Sequence, residues 1–260
     1  MKRILMAVIL VGTVSFAQMI YEPSDVEYKQ GICFEKATGK KLTGIAKTYY
    51  ESGALLLESN YKDGKLNGNA KMYYESGALQ LELEGNNKDG KLTGIAKTYN
   101  ESGVLKSEEN YKDGKKNGIM KTYYESGALK SEFNYKDGKE NGISKIYYES
   151  GALQAEGYKK DSKLNGIMKT YYESGALSSE VNCKDGKKNG IMKIYHKSGA
   201  LSGEIKIIND KAISGIYYQE NGRKLRDMTH ADFHSFGLEW WVWFVKGISS
   251  KDFLELVYPA

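Results

Sequence analysis

The sequence predicts an all-β protein, built as an elongated single-layer antiparallel sheet of tandem β-hairpins. Three observations support this prediction. A pattern of 24 residues recurs along most of the chain, glycine is abundant at 29 residues while proline occurs only twice, and tyrosine reaches 21 residues. Short runs rich in Tyr, Thr and Ile, bounded by Gly, Asn and Asp, are typical of strands joined by turns. Such a chain buries aromatic faces locally and does not build one thick aliphatic core.

The first element is an expected signal peptide over residues 1–17. Lys2 and Arg3 precede an apolar run, and a small-residue pattern of the kind that signal peptidase recognises ends at Ala17. We therefore expect an exported protein that is periplasmic, on the cell surface or secreted. Cleavage after Ala17 removes 17 of the 260 residues and two of the 38 basic ones, which lowers the formal net charge from +5 to +3. That balance is too mild to argue for nucleic acid.

The predicted repeat array spans residues 44–226 and follows a degenerate half-repeat or cap over residues 18–43. Its copies open at Gly44, Gly68, Gly94, Gly118, Gly142, Gly166, Gly190 and Gly215, with spacings of 24, 26, 24, 24, 24, 24 and 25 residues. Within a copy, YYESGAL places one glycine turn between two strands, and KDGKKNG is interpreted as a second, longer turn. Each copy is therefore predicted to be a β-hairpin of about 24 residues.

The register inside each hairpin follows from how residue size varies between copies. A two-residue Ser-Gly turn places Tyr124 opposite Leu129 and Met120 opposite Phe133. Equivalent pairs in several other copies match in size, which is expected of cross-strand partners that share volume. A three-residue turn with its glycine in a left-handed bulge is the rival interpretation. It would pair Met120 with Glu132 and leave the size match unexplained.

The same register predicts a ladder of opposite charges on the other face of the sheet. Lys121 stands opposite Glu132, and Lys97 opposite Glu108. Pairs of this kind contribute at most about 1 kcal/mol each. We therefore expect this face to be solvated, with the ladder serving register and solubility.

Cys33 and Cys183 are the only cysteines. They stand in different repeats, and each repeat adds roughly 9–10 Å along a row of side-by-side strands. That separation exceeds the ~7 Å limit between the Cα atoms of a disulfide. We therefore expect two free thiols, even in an exported protein.

The recurrent pattern YYESGxL…YKDGKxNG resembles the MORN repeat in its bacterial variant form, found in antitoxin-like repeat proteins. The resemblance covers the chain from Gly44 to about Leu225. It implies an elongated antiparallel β-strip that serves as a binding or scaffolding module, without catalytic centre or cofactor. It also makes an antitoxin or immunity-like role an alternative, although a signal peptide departs from the cytoplasmic location expected of such members. Plant lipid kinases carry MORN repeats too, but no phosphate-cradling glycine loop with its lysine and acidic residues follows here.

A single-layer sheet leaves an apolar stripe partly uncovered, and exposed stripes of this extent usually meet something. We therefore expect a non-enzymatic scaffold that binds a protein partner through this face. The predicted binding residues are Tyr50, Leu55, Tyr74, Leu79, Tyr124, Leu129, Tyr148, Leu153, Tyr172 and Leu177. A partner helix, a second copy of the strip or curvature of the sheet onto itself would each cover the stripe, so the oligomeric state stays open.

The alternative function is binding to an anionic lipid or envelope polymer. The turn lysines would form one margin of the strip for this purpose: Lys62, Lys65, Lys112, Lys115, Lys116, Lys136, Lys139, Lys184, Lys187 and Lys188. The other contribution would come from residues 227–260, predicted to form an aromatic, partly helical C-terminal cap. Its Trp240, Trp241, Trp243 and Phe244 could instead contact a membrane or a partner.

Two histidines in this tail, His230 and His234, have the spacing of zinc ligands on a helix. The glutamate of a metalloprotease motif is replaced by Ala231, and no third ligand is evident in the sequence. We therefore expect ordinary cap or surface histidines, with no metal site, no cofactor and no catalytic residue.

Overall fold

The computed structural model describes residues 19–88 and 91–229. These residues are almost entirely strands and turns, with one 3-10 turn at Pro23–Asp25. They belong to two compact units, which we call the N-terminal unit (residues up to 117) and the C-terminal unit (from 118). The prediction of an all-β fold made of tandem antiparallel hairpins is confirmed. The expected signal peptide and nearly all of the C-terminal cap lie outside the described residues.

Ten strands are formed by the part of the N-terminal unit that the structure describes. They are β1 (Ile20–Tyr21), β2 (Val26–Lys29), β3 (Ile32–Glu35), β4 (Gly44–Tyr49), β5 (Leu55–Lys62), β6 (Lys65–Tyr73), β7 (Leu79–Lys88), β8 (Lys91–Tyr99), β9 (Leu105–Lys112) and β10 (Lys115–Lys116). Strands β4 to β9 form an antiparallel meander, and β10 returns along β9. Strand β1 runs parallel to β4, while β2 and β3 form a separate hairpin.

The segment over residues 19–43 is bonded to the first repeat through backbone groups. The Cys33 amide donates to the Gly64 carbonyl over 2.8 Å, and the Gly64 amide donates to the Leu42 carbonyl over 2.8 Å. Cys33 and Leu42 are both buried, together with Tyr21, Val26 and Ala46. The first hairpin is thus covered by a small apolar cluster of its own.

The described residues of the C-terminal unit form twelve strands, and every strand pair among them is antiparallel. They are β11 (Gly118–Tyr123), β12 (Leu129–Lys136), β13 (Lys139–Tyr147), β14 (Leu153–Lys160), β15 (Lys163–Leu164), β16 (Gly166–Tyr171), β17 (Leu177–Lys184), β18 (Lys187–Lys188), β19 (Gly190–Tyr195), β20 (Leu201–Ile208), β21 (Lys211–Tyr218) and β22 (Lys224–Asp227). Consecutive hairpins therefore share strand pairs on both sides, and none has to be stable alone.

The Glu-Ser-Gly turn has three residues, so the predicted two-residue turn is wrong. The Gly127 amide donates to the Tyr124 carbonyl, and the Tyr124 amide donates to the Ala128 carbonyl, each over 2.9 Å. Gly127 has a φ of +84°, and the equivalent glycines lie between +80° and +88°. Glycine occupies this left-handed conformation at no steric cost, which favours a type I turn followed by a glycine bulge.

A bulge just beyond the turn restores the predicted register. Tyr123 pairs with Leu129 and Thr122 with Ser131, so that Lys130 is inserted between them as an extra residue. The predicted pairing of Tyr124 with Leu129 is therefore wrong. Below the bulge the predicted pairs are confirmed, including those whose sizes match between copies. The turn contains one residue more than predicted, Glu125, and the bulge adds one residue, Lys130, to the returning strand. The pairs beyond the bulge therefore keep the partners that were predicted.

The second turn is shorter than predicted. Asp137 and Gly138 have φ values of +51° and +86°, which is the pattern of a two-residue type I′ turn. The strands therefore continue almost to the Asp-Gly pair, whereas the sequence indicated a loop of about seven residues. Amides of these turns also bond to the preceding hairpin, as from Gly186 to the Leu164 carbonyl over 2.9 Å.

One face of the sheet, here called the inner face, holds the buried residues of each unit. In the N-terminal unit the buried cross-strand pair of Ala46 with Ser59 is small, whereas in the C-terminal unit the buried pair of Met168 with Val181 is larger. The C-terminal cluster consists of Phe133, Ile146, Ala155, Leu164, Met168, Val181, Cys183, Ile205, Ile207 and Met228. Cys33 and Cys183 are buried free thiols, as predicted.

Candidate binding surface

Where a Tyr-Tyr pair precedes a Glu-Ser-Gly turn, its second tyrosine lies half-buried beside that turn. Its hydroxyl donates to a backbone carbonyl of the following hairpin, over 2.7 to 2.9 Å. The donors are Tyr50, Tyr74, Tyr124, Tyr148 and Tyr172, and the acceptors are the carbonyls of Tyr73, Tyr99, Tyr147, Tyr171 and Tyr195. These predicted binding residues therefore also join neighbouring hairpins, with each phenol ring held in one orientation.

The predicted leucines lie on the other side of the strand from these tyrosines. Leu129 pairs with Tyr123, the first tyrosine of the pair, and paired residues of an antiparallel sheet share a face. Alternation along the strand puts Tyr124 on the opposite side from Tyr123. The bulge thus divides the predicted single stripe of tyrosine and leucine. Its members meet only at the end of each hairpin, which we call the Glu-Ser-Gly margin.

The leucines at this margin are all half-buried: Leu55, Leu79, Leu129, Leu153 and Leu177. They pair with Tyr49, Tyr73, Tyr123, Tyr147 and Tyr171. These residues belong to the face opposite the inner face, which we call the outer face. At the Glu-Ser-Gly end of each of these hairpins, a leucine therefore lies on the outer face and an anchored tyrosine ring lies at the end of the strand.

The first tyrosines bond to glutamates of the preceding hairpin. The Tyr147 hydroxyl donates to Glu132 over 3.0 Å, and the Tyr171 hydroxyl donates to Glu156 over 2.7 Å. Partial burial, reinforced by the hydrogen bond to the carboxylate, raises the pKa of both tyrosines to about 12. These phenols therefore stay protonated donors well above neutral pH.

The outer face carries the predicted ladder of lysines and glutamates, with one correction. Lys121 lies 3.8 Å from Glu132, at the predicted position. Lys97 is the cross-strand partner of Glu108, but its amine lies 3.0 Å from Glu84 on the preceding strand. The ladder therefore connects hairpins as well as the two strands of one hairpin.

A row of exposed isoleucines on the outer face was missed by the sequence analysis. It consists of Ile119, Ile143, Ile167 and Ile191, which are 43%, 53%, 58% and 49% exposed. Each directly follows an opening glycine, so the recurring Gly-Ile dipeptide was the available signal. The charge ladder led to the interpretation of this face as wholly solvated, whereas exposed isoleucines also lie on it, alternating from strand to strand with Asn134, Tyr158, Asn182 and Lys206.

The predicted lysine margin, at the Asp-Gly turns, is only partly formed. Lys62, Lys65, Lys112, Lys115, Lys136, Lys139, Lys184 and Lys187 are exposed. Lys116 and Lys188 are half-buried, and the Lys116 amine lies 3.1 Å from the Glu109 carboxylate. Burial lowers the pKa of Lys188.

An ion pair lies inside the C-terminal unit. The Lys159 amine bonds to the Glu140 carboxylate, and the two side chains are 0% and 10% exposed. The Tyr135 hydroxyl donates to Glu140 over 3.1 Å, and the Lys159 amine lies 5.2 Å from the centre of the Phe133 ring. The buried hydroxyl of Ser144 has no hydrogen-bond partner among the described residues.

The predicted tail residues Trp240, Trp241, Trp243 and Phe244 lie outside the described residues, as do His230 and His234. Between residues 19 and 229, leaving out 89 and 90, no group of three His, Cys, Asp or Glu side chains is placed to hold a metal ion. In the same part of the chain there is no helix with the length and apolar character of a membrane span.

The hairpin ladder and its repeating surfaces define a tandem β-hairpin repeat protein, a class that mediates binding. The model of the MORN repeat variant matches residues 42–63, 66–87, 92–113, 116–137, 140–160 and 164–185. These matches cover about half of the chain. The protein therefore belongs to the MORN repeat variant family.

Solved structures resemble the chain only distantly. The crystal structures of TcdB2-TccC3-Cdc42 and TcdB2-TccC3-TEV match at 12% and 13% identity, over 79% of this chain and 15% and 14% of theirs, each with a TM-score of 0.17. The crystal structure of TcdB2-TccC3 matches at 12% identity and a TM-score of 0.16, over 79% of this chain and 15% of that one. This chain therefore spans only a small part of the solved chains it matches. No curated protein matches it.

Proposed function

We propose that the protein is a non-enzymatic, exported scaffold that binds another protein through the Glu-Ser-Gly margin. The observation that supports this proposal is the anchoring of five tyrosine hydroxyls to neighbouring backbone carbonyls over 2.7 to 2.9 Å. An aromatic ring already fixed in one orientation loses little conformational freedom on binding. Within each unit, a series of half-exposed, pre-oriented rings therefore suits a protein partner.

The chemistry around the rings indicates the kind of partner surface that fits. Leucines flank the tyrosines on the outer side, and exposed glutamates stand at the turns: Glu51, Glu75, Glu101, Glu125, Glu149 and Glu173. An apolar centre with a charged rim is the usual anatomy of a protein interface. The proposed partner presents apolar side chains bordered by basic residues.

The export part of the proposal is supported by the sequence over residues 1–17. Fractionation of the native cell, followed by crosslinking, tests it directly. Recovery of the processed chain in the periplasm, on the surface or in the medium is the expected result. Recovery of an unprocessed chain in the cytoplasm would contradict export and favour the antitoxin or immunity-like alternative.

Binding is tested by pull-down from envelope extracts with the wild-type protein and with Tyr124→Ala/Tyr148→Ala. We expect the variant to lose the partner that the wild type retains. The matched control is Tyr28→Ala, because Tyr28 is 54% exposed and its hydroxyl contacts Tyr61, beside the first Asp-Gly turn and away from the margin. Circular dichroism checks that each variant is folded. A folded double variant that retains every partner would contradict the proposal.

A second candidate function, binding to an anionic lipid or envelope polymer, is favoured by the exposed lysines of the Asp-Gly turns. Each Asp-Gly turn also carries an aspartate, such as Asp137 or Asp185, which reduces the local positive potential. This candidate predicts binding to anionic vesicles that weakens with salt. Cosedimentation with phosphatidylglycerol vesicles at low salt measures it, and a protein that stays in the supernatant would exclude it.

A further inference from the structure

We propose that the outer face of the C-terminal unit binds a second copy of this chain through its isoleucine row. This surface is separate from the Glu-Ser-Gly margin, since five residues of extended strand, roughly 16 Å, separate Ile119 from Tyr124. The proposal therefore goes beyond partner binding at the margin. A dimer formed in this way would present two margins to a partner.

The apolar part of the surface is regular. Ile143, Ile167 and Ile191 are 53%, 58% and 49% exposed and occupy equivalent positions in consecutive hairpins. Equivalent positions are two strands apart, so the isoleucines are spaced at about 9.6 Å, with Tyr158 and Asn182 on the strands between them. In the N-terminal unit the same position holds Asn69, and Ile45 is half-buried. The exposed row is therefore a feature of the C-terminal unit.

The charges beside the row indicate which occupant fits. Four cross-strand pairs alternate lysine and glutamate from strand to strand: Lys121 with Glu132, Lys145 with Glu156, Lys169 with Glu180, and Lys193 with Glu204. Together these four lysines and four glutamates have no net charge, and the sign of the charge changes at each strand, every ~4.8 Å. A second copy displaced by one strand would place each lysine opposite a glutamate. The ladder itself would present an anionic membrane with as many carboxylates as ammonium groups.

The dimensions of the surface determine the expected strength. Four hairpins span about 38 Å across the strands. The isoleucine row and the neighbouring lysine-glutamate pairs together span about 13 Å along the strands, so the surface buried on each copy is roughly 500 Å². A total of about 1,000 Å² is at the lower limit for a specific interface. Two sheets that pack face to face, about 10 Å apart, cover such rows in the ordinary way. We therefore expect a reversible dimer in the micromolar range.

Sedimentation equilibrium of the full chain, from about 1 to about 100 μM, tests the proposal. The wild type should pass from monomer to dimer across this range. Ile143→Asn/Ile167→Asn should dimerise at least tenfold more weakly. Asparagine already occupies this position at Asn69, so the substitution is compatible with the hairpin. The matched control is Ile20→Asn in the N-terminal unit, where Ile20 is 53% exposed, and it should dimerise like the wild type.

A wild type that remains monomeric at the highest concentration would overturn the proposal, as would a folded double variant that dimerises like the wild type. In a parallel experiment the proteins are mixed with vesicles of equimolar phosphatidylcholine and phosphatidylglycerol. A monomeric wild type that binds these vesicles, together with a double variant that does not, would assign the isoleucine row to a membrane and also overturn the proposal. If the double variant no longer dimerises but still binds a partner at the Glu-Ser-Gly margin, the two proposed surfaces act independently.

Discussion

Two lysine-glutamate pairs of the C-terminal unit have the same chemistry in opposite environments. Lys121 and Glu132 lie 3.8 Å apart on the outer face, with side chains 35% and 27% exposed. Lys159 and Glu140 lie on the inner side, with side chains 0% and 10% exposed. Exposed pairs contribute little because water screens them, whereas a buried charge is costly once its partner is removed. Burial therefore decides how much stability is lost when one member of a pair is removed.

The buried pair replaces two residue types that other hairpins use at the same positions. Lys159 stands opposite an opening glycine, where other hairpins place Tyr61, Tyr111 and Tyr135. Glu140 stands where other hairpins place Leu66, Leu92 and Leu164. The two exchanges compensate each other electrostatically, and the Tyr135 hydroxyl and Phe133 ring provide further contacts. One hairpin has thus gained a polar interior without leaving an uncompensated charge.

The largest expected effect comes from breaking the buried pair. Glu140→Ala leaves the Lys159 ammonium inside the unit without its carboxylate, so we expect a loss of about 3 to 5 kcal/mol in the free energy of unfolding. Urea unfolding followed by circular dichroism measures it. The matched control is Glu132→Ala on the outer face, which removes the exposed pair and the Tyr147 hydrogen bond, with an expected loss of about 1 to 2 kcal/mol. Equal losses for the two variants would contradict the comparison.

Restoring the residue types of the other hairpins should remove most of that loss. Glu140→Leu/Lys159→Tyr replaces the buried charges by the leucine and tyrosine found at Leu66 and Tyr61. Replacing a buried ion pair by well-packed apolar residues is often neutral or stabilising, by about 1 to 4 kcal/mol. We therefore expect the double variant to unfold at a urea concentration equal to or above that of the wild type. A double variant as unstable as Glu140→Ala would show that the interior tolerates only the charged pair.

The tyrosines of the outer face make the stability depend on pH. Tyr147, Tyr171 and Tyr195 have pKa values raised from 10 to about 12 by partial burial and by hydrogen bonds to glutamates. The unfolded chain therefore loses these protons first, so the stabilisation is fully present below pH 10 and is lost as the pH rises from 10 towards 12. Urea unfolding at pH 8 and pH 11 should show this loss, and Tyr147→Phe/Tyr171→Phe should reduce it. An unchanged difference between the two pH values in that variant would contradict the assignment.

The sequence predicted the hairpins because turn residues and strand residues recur together, and it predicted the register because pairs such as Met168 and Val181 match in size between copies. It did not predict the bulge at Lys130. An extra residue in the turn cancels an extra residue in the strand, so the pairs that were compared keep the same partners. The division of tyrosines from leucines depends on this single residue. The isoleucine row was missed because the alternation of side chains along a strand predicts which face a residue occupies, but not how exposed that residue is.

The smallest expected effect comes from the outer pair. Lys121→Met keeps an apolar stem on the sheet and removes only the ammonium group, so we expect the free energy of unfolding to change by about 0.5 kcal/mol or less. The Glu132 carboxylate still accepts the Tyr147 hydroxyl over 3.0 Å, so it is not left unsatisfied. Urea unfolding at low and high salt measures the change, which should shrink as salt screens the pair. A loss above about 1 kcal/mol that persists at high salt would mean that the outer row holds the hairpins together as the buried pair does. Burial would then not be what distinguishes the two pairs.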